Sequence, residues 1–129
     1  MAILVTTMWK LLKWNLKMIK TSYISLLNKT EGIRVLVTRH KPQSLKTSDY
    51  ELWLQELSPS KELLDKYKAG DLSWEEFEEI FKAELAVSKP AQAKLKELKE
   101  LAKTKEVTLF CYEKKETTCH RKILKELLQ

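Results

Sequence analysis

Cys111, Glu113, Thr118, Cys119, His120 and Arg121 crowd into eleven residues near the end of the chain. These types at this spacing suggest sulfur or anion chemistry. Thr117-Thr118 are good N-cap residues, and Ile123, Leu124, Leu127 and Leu128 follow at helical spacing, so a helix is expected to start at about Cys119. A cysteine there meets unpaired amides and the positive end of the helix dipole, which lower a thiol's pKa. His120 and Arg121 beside it act in the same direction, so Cys119, His120 and Glu113 are the candidate catalytic groups. The plainer alternative stays open: Cys119 packs as a small apolar residue. Cys111 ends an apolar run and is expected to be buried and inert. Glu113 could act as a general base, or orient Arg121 or Arg39 through a bidentate contact.

Arg39 enters because of what precedes it. Ile33-Arg34-Val35-Leu36-Val37-Thr38 is rich in β-branched residues and reads as a strand, as does the uncharged run Val107–Tyr112. If the two strands are parallel, their carboxyl ends share one edge, where α/β proteins place ligands. Arg39 and Arg121 would then flank the amides at the helix start, with Thr118 between them. That is a site for phosphate or carboxylate. Cys111, Cys119 and His120 lack a clear fourth metal ligand and the usual Cys-x-x-Cys spacing, so no metal is expected. With two glycines in 129 residues, glycine-rich nucleotide loops are excluded and no cofactor is assigned.

The supporting elements follow in order. Residues 19–24 read as a short or edge strand, and residues 50–57 as a further strand. Ser58-Pro59 should cap and open a helix carrying Leu63, Leu64 and Tyr67 inward, which Gly70 closes. Ser73-Trp74-Glu75-Glu76 is a capping box, and it begins a stripe of Trp74, Phe77, Ile80, Phe81 and Leu85. Pro90 opens another helix with Leu95, Leu98 and Leu101 inward. Strands, a helical middle, a strand and a last helix make an α/β domain. It is expected to be small and three-layered, with a mostly parallel sheet of three to four strands and helices packed on it.

Composition narrows the function classes. Apolar residues at 43% and charged residues at 33% suit one soluble domain, and the Lys- and Glu-heavy charge is that of heat-adapted proteins. The net charge is +6, but Lys10, Lys13, Lys17 and Lys20 supply four of it, leaving 20 basic against 18 acidic residues elsewhere. No basic stripe marks the body of the chain, so general nucleic-acid binding is disfavoured. Those lysines fall within an arc of roughly 80° on a helical wheel, opposite Trp9, Leu12 and Leu16. Residues 1–17 are therefore a basic amphipathic extension, either a docking helix that could join two copies or the product of an upstream start. They are too interrupted to span a membrane. Two cysteines do not make a secreted disulfide framework, so the chain reads as cytoplasmic; a Cys111–Cys119 disulfide remains open for a hyperthermophile.

Several segments together carry a family likeness. Gly32–Arg39, Leu52–Ser60, Trp74-Glu75-Glu76-Phe77 and Val107–Glu113 with Cys119-His120-Arg121 resemble the YeaO-like family, domain-of-unknown-function family 488. The likeness runs from about Met18 to the end, so residues 18–129 are taken as a single domain. It implies the fold and marks Cys111-Tyr112-Glu113 and Cys119-His120-Arg121 without naming a reaction. Relatives often carry Trp-Pro-Arg-Gly where this chain has His40-Lys41-Pro42-Gln43-Ser44, so no second arginine is assigned to that loop. The resulting expectation is an enzyme acting on a small anionic, phosphate- or carboxylate-bearing substrate at residues 111–121. Its alternatives are a non-catalytic anion- or nucleotide-binding module and a protein-interaction module.

Overall fold

A computed structural model describes residues 19–129. The amphipathic extension 1–17, and with it a dimer contact through that segment, lies outside the described residues. Four strands, β1 (Ile19–Tyr23), β2 (Ile33–Leu36), β3 (Leu52–Trp53) and β4 (Val107–Cys111), form one sheet in the order β1-β4-β2-β3. Every pairing is parallel. The last strand of the sequence is thus inserted between the first two, and Val107 pairs with Ile19 on one side and Ile33 on the other. All five β4 residues are buried, which is why the run carries no charge. Gly32 makes the close approach to β4 possible. Its φ is +82°, and a Cβ there would meet the Glu106 carbonyl oxygen at 2.6 Å.

Among the described residues four helices, α1 (Lys61–Lys68), α2 (Trp74–Val87), α3 (Lys89–Ala102) and α4 (His120–Leu128), connect and cover the sheet. Leu63, Phe77, Phe81, Leu98, Ile123 and Leu124 from these helices share one buried cluster with Val35, Val37, Val107 and Leu109. On the opposite face Leu36 and Phe110 meet Leu27, with Ile24, Leu45, Tyr50 and Trp53 around them. That third layer is thin: a 3-10 turn at Ile24–Lys29 and the loop after β2.

The local signals hold where their partners are local. Ser73 and Glu76 form the capping box, with Glu76 N–H to Ser73 Oγ at 3.1 Å and Ser73 N–H to Glu76 Oε1 at 3.0 Å. Gly70, at φ +81°, closes α1. Three expectations shift. Residues 50–57 give only two strand residues before a 3-10 turn at Gln55–Leu57, because Leu54 and Leu57 leave the sheet to enter the helix-side core. The α1 cap is Ser60 rather than Ser58: its Oγ accepts from Leu63 N–H and donates to Glu84 Oε2 at 2.5 Å, so a distant carboxylate selects it. Ile80 and Leu127 sit at the margins of their stripes and are 40% and 37% exposed.

Candidate functional site

The carboxyl ends of β2 and β4 and the start of α4 enclose a cleft of about 330 Å³. Thr38, Arg39 and His40 line it from the loop after β2, and Cys111, Tyr112 and Glu113 from the end of β4 and the loop beyond it. Thr118, Cys119 and His120 line it from the turn before the last helix and its start. Tyr67 and Trp74 complete an aromatic wall with Phe77, the Tyr67 and Trp74 rings standing 5.8 Å apart, edge to face. Two other depressions, over α2–α3 and over β1, contain neither cysteine nor histidine.

Parallel pairing is what assembles this edge, since Val37 N–H continues the β2–β4 ladder to Phe110 O at 3.0 Å. The cleft therefore unites five of the six predicted site residues: Cys119, His120, Glu113, Arg39 and Thr118. Arg121 is the exception. It is 1% exposed and turned inward, donating to the Glu113 carbonyl, to Lys114 O at 3.0 Å and to Cys111 Sγ at 3.0 Å. Burial lowers its pKa, opposed by the nearby Glu116 and Glu113 charges. The corner after β4 turns the Glu113 and Lys114 carbonyls to a partly buried position, and carbonyls drawn away from water need a partner. The guanidinium serves them, so Arg121 is a clamp on that corner and does not face the cleft.

Cys119 is the N-cap residue of α4, preceded by a 3-10 turn at Glu116–Thr118 in place of a threonine cap. Its own N–H is given to Glu116 O at 3.1 Å, so part of the expected nest of amides is already used. The buried Cys119 sulfur lies 3.8 Å from His120 Nδ1 and is joined to the Cys111 sulfur in this structure. The two Cα atoms are 7.9 Å apart.

His120 is held from two sides. Its ring packs edge-on against Phe81 at 5.8 Å, and Nε2 lies 2.6 Å from the Val37 carbonyl. A carbonyl only accepts, so Nε2 carries the proton and Nδ1 turns a lone pair toward the sulfur. Burial, helped by the Arg121 charge and opposed by the Val37 contact, pushes the His120 pKa down to about 4. The imidazole is neutral at neutral pH. Cys111, Cys119 and His120 place their ligand atoms within 4.8 Å of one another, so these three are also the residues that could hold a soft metal ion.

Arg39 is half-buried, its guanidinium contacting Pro59 O at 3.4 Å and its carbonyl held by Gln55 Nε2 at 2.9 Å. Thr38 was not singled out from the sequence, yet it is 2% exposed, lines the cleft, and its Oγ1 has no partner. An orphan hydroxyl at a cleft is a place for a ligand atom. The aromatic wall and the Val37 carbonyl were also missed. Trp74 and Phe77 belong to a segment that carries the family likeness, but only as helix stripe, and a backbone carbonyl has no sequence signature.

A family model described as the active DUF488-N3 subclade matches residues 19–129. The uncharacterized protein YeaO of Escherichia coli K12 is 31% identical over 102 residues, covering 78% of this chain and 86% of that protein. No solved structure matches the chain significantly. No helix among the described residues is long and apolar enough to cross a membrane.

Proposed function

The chain belongs to the DUF488 family, and from that premise we propose that it is a cysteine-dependent enzyme acting on a small anionic molecule in this cleft. The carrying observation is the Cys119–His120 pair, with the imidazole oriented by Val37 so that its free nitrogen faces the sulfur. A nucleophile, a base and a group that orients the base are the working parts of nucleophilic catalysis.

In the reduced protein, the Cys119 thiol passes its proton to His120 Nδ1 as it attacks an electrophilic atom of the substrate. The thiolate charge developing 3.8 Å away offsets the burial that otherwise keeps the ring neutral. Helix-start amides favour the thiolate. Arg39 and Thr118 hold the substrate's phosphate or carboxylate at the mouth of the cleft, while the Tyr67–Trp74–Phe77 wall excludes water from the reacting atoms. Glu113 lines the rim of the cleft beside the departing group.

The test is a short pulse of iodoacetamide on reduced protein, read by peptide mass spectrometry across pH. Cys119 should label faster than Cys111, with a midpoint below the ~8.5 of a free thiol. His120→Ala should move that midpoint upward, and phosphate should slow labelling of wild type but not of Arg39→Ala. Equal labelling of both cysteines would remove the nucleophile. Phosphate protection that persists without Arg39 would place the anion elsewhere. Anion binding without any preferential thiol reactivity would favour a non-catalytic anion-binding module.

A further inference from the structure

We infer that Cys111 is the resolving thiol of a thiol–disulfide exchange, which makes the substrate of the cleft a small disulfide carrying anionic groups. The inference rests on the reading of Cys119 as the nucleophile and adds the second cysteine, which that reading leaves idle.

Cys111 is not placed as a spectator. It ends the central strand, lines the same cleft as Cys119, and its sulfur reaches the Cys119 sulfur without an intervening side chain. Arg121 directs an N–H at Cys111 Sγ from 3.0 Å while its other contacts to Glu113 O and Lys114 O fix the guanidinium in place. A charged donor on a sulfur favours the thiolate over the thiol. The two sulfurs and a ring nitrogen of His120 lie within 4.8 Å of one another, so one base can serve both steps.

The exchange balances as follows. The Cys119 thiolate attacks one sulfur of R–S–S–R, the substrate S–S bond breaks, and the first RS⁻ leaves with the proton held on His120 Nδ1. This leaves a mixed disulfide between Cys119 and R. Cys111 then gives its proton to the regenerated imidazole and attacks Cys119 Sγ; the second RS⁻ departs and takes that proton. Two electrons pass from the protein dithiol to the substrate, which becomes two RSH, and the protein ends with a Cys111–Cys119 bond. A small-molecule thiol in excess returns the dithiol by the reverse route.

Fully reduced protein would be mixed with glutathione disulfide, whose carboxylates supply the anion, and followed by intact mass and by release of free thiol. Wild type should lose two hydrogens and release two glutathiones per chain. Cys111→Ser should stop at a glutathione adduct on Cys119 with one glutathione released, and Cys119→Ser should react at least about tenfold more slowly, the factor for one pKa unit of thiolate. Arg39→Ala should slow the reaction with glutathione disulfide but not with the uncharged bis(2-hydroxyethyl) disulfide. Slowing of neither would remove the anion reading while leaving the exchange intact. Release of two glutathiones by Cys111→Ser at the wild-type rate would overturn the resolving role. So would about one zinc per chain in the reduced protein as prepared that is lost in His120→Ala, since the sulfurs would then be metal ligands.

Discussion

Two corners of the same sheet edge each carry an arginine, and they use it in opposite ways. After β2, Arg39 stays half-buried at the cleft mouth, with one contact at 3.4 Å. After β4, Arg121 is buried and gives its donors to two carbonyls and a sulfur. The difference lies in the backbone around them. The β2 corner is tied down by neutral groups, Trp53 Nε1 to Thr38 O at 2.9 Å and Gln55 Nε2 to Arg39 O at 2.9 Å, which leaves its guanidinium available. At the β4 corner the Glu113 and Lys114 carbonyls turn inward, and the guanidinium of Arg121 is drawn in to meet them. Where the backbone is already satisfied the charge is left free of structural duty; where it is not, the charge becomes structure.

Removing Arg121 tests this contrast most severely. Arg121→Ala should destabilise the domain by about 3 kcal/mol or more, because buried carbonyls lose their partner and a cavity opens. Denaturant unfolding would measure it, and a loss below about 1 kcal/mol would mean the corner satisfies itself.

His120, bridging the two corners through Val37, should give the next largest effect, and it depends on pH. Its folded pKa of about 4 lies below the ordinary 6.5, so folding favours the neutral ring. Its contribution is complete above about pH 6.5 and is lost as pH falls through about 4. For a partly exposed ring, roughly 2 kcal/mol should disappear over that window, discounted from about 1.4 per pH unit. Unfolding titrations of wild type against His120→Gln would show it, the variant having the flatter profile. Parallel profiles would mean that the ring is not held neutral.

On the β2 side the effects should be smaller. Gln55→Ala should cost about 1 kcal/mol through the lost bond to Arg39 O, read by thermal unfolding in the absence of anions. Arg39→Ala should change stability by less than about 0.5 kcal/mol, as a surface charge with a single weak contact does. A loss from Arg39→Ala equal to that from Arg121→Ala would erase the distinction between the corners.

What could be read along the chain was whatever depends on near neighbours. The uncharged β4 run, the β-branched β2, the Ser73/Glu76 box and the Gly70 helix end all have their causes within a few residues, and all were legible. The parallel edge was legible too, because strand–helix–strand order restricts topology, and with it came the convergence of Arg39, Glu113, Thr118, Cys119 and His120. The choice of Ser60 over Ser58 depends on Glu84, 24 residues away. The tautomer of His120 depends on Val37, 83 residues away, and the short strand β3 depends on two leucines seeking the helix-side core. Arg121 lies only seven and eight residues from the carbonyls it binds, yet its direction could not be read either. Whether those carbonyls face inward is decided only once β4 lies between β1 and β2 and α4 packs across it. Local sequence sets which conformations a segment prefers; only the packed fold sets which polar groups are cut off from water, and those groups decide where the charges go.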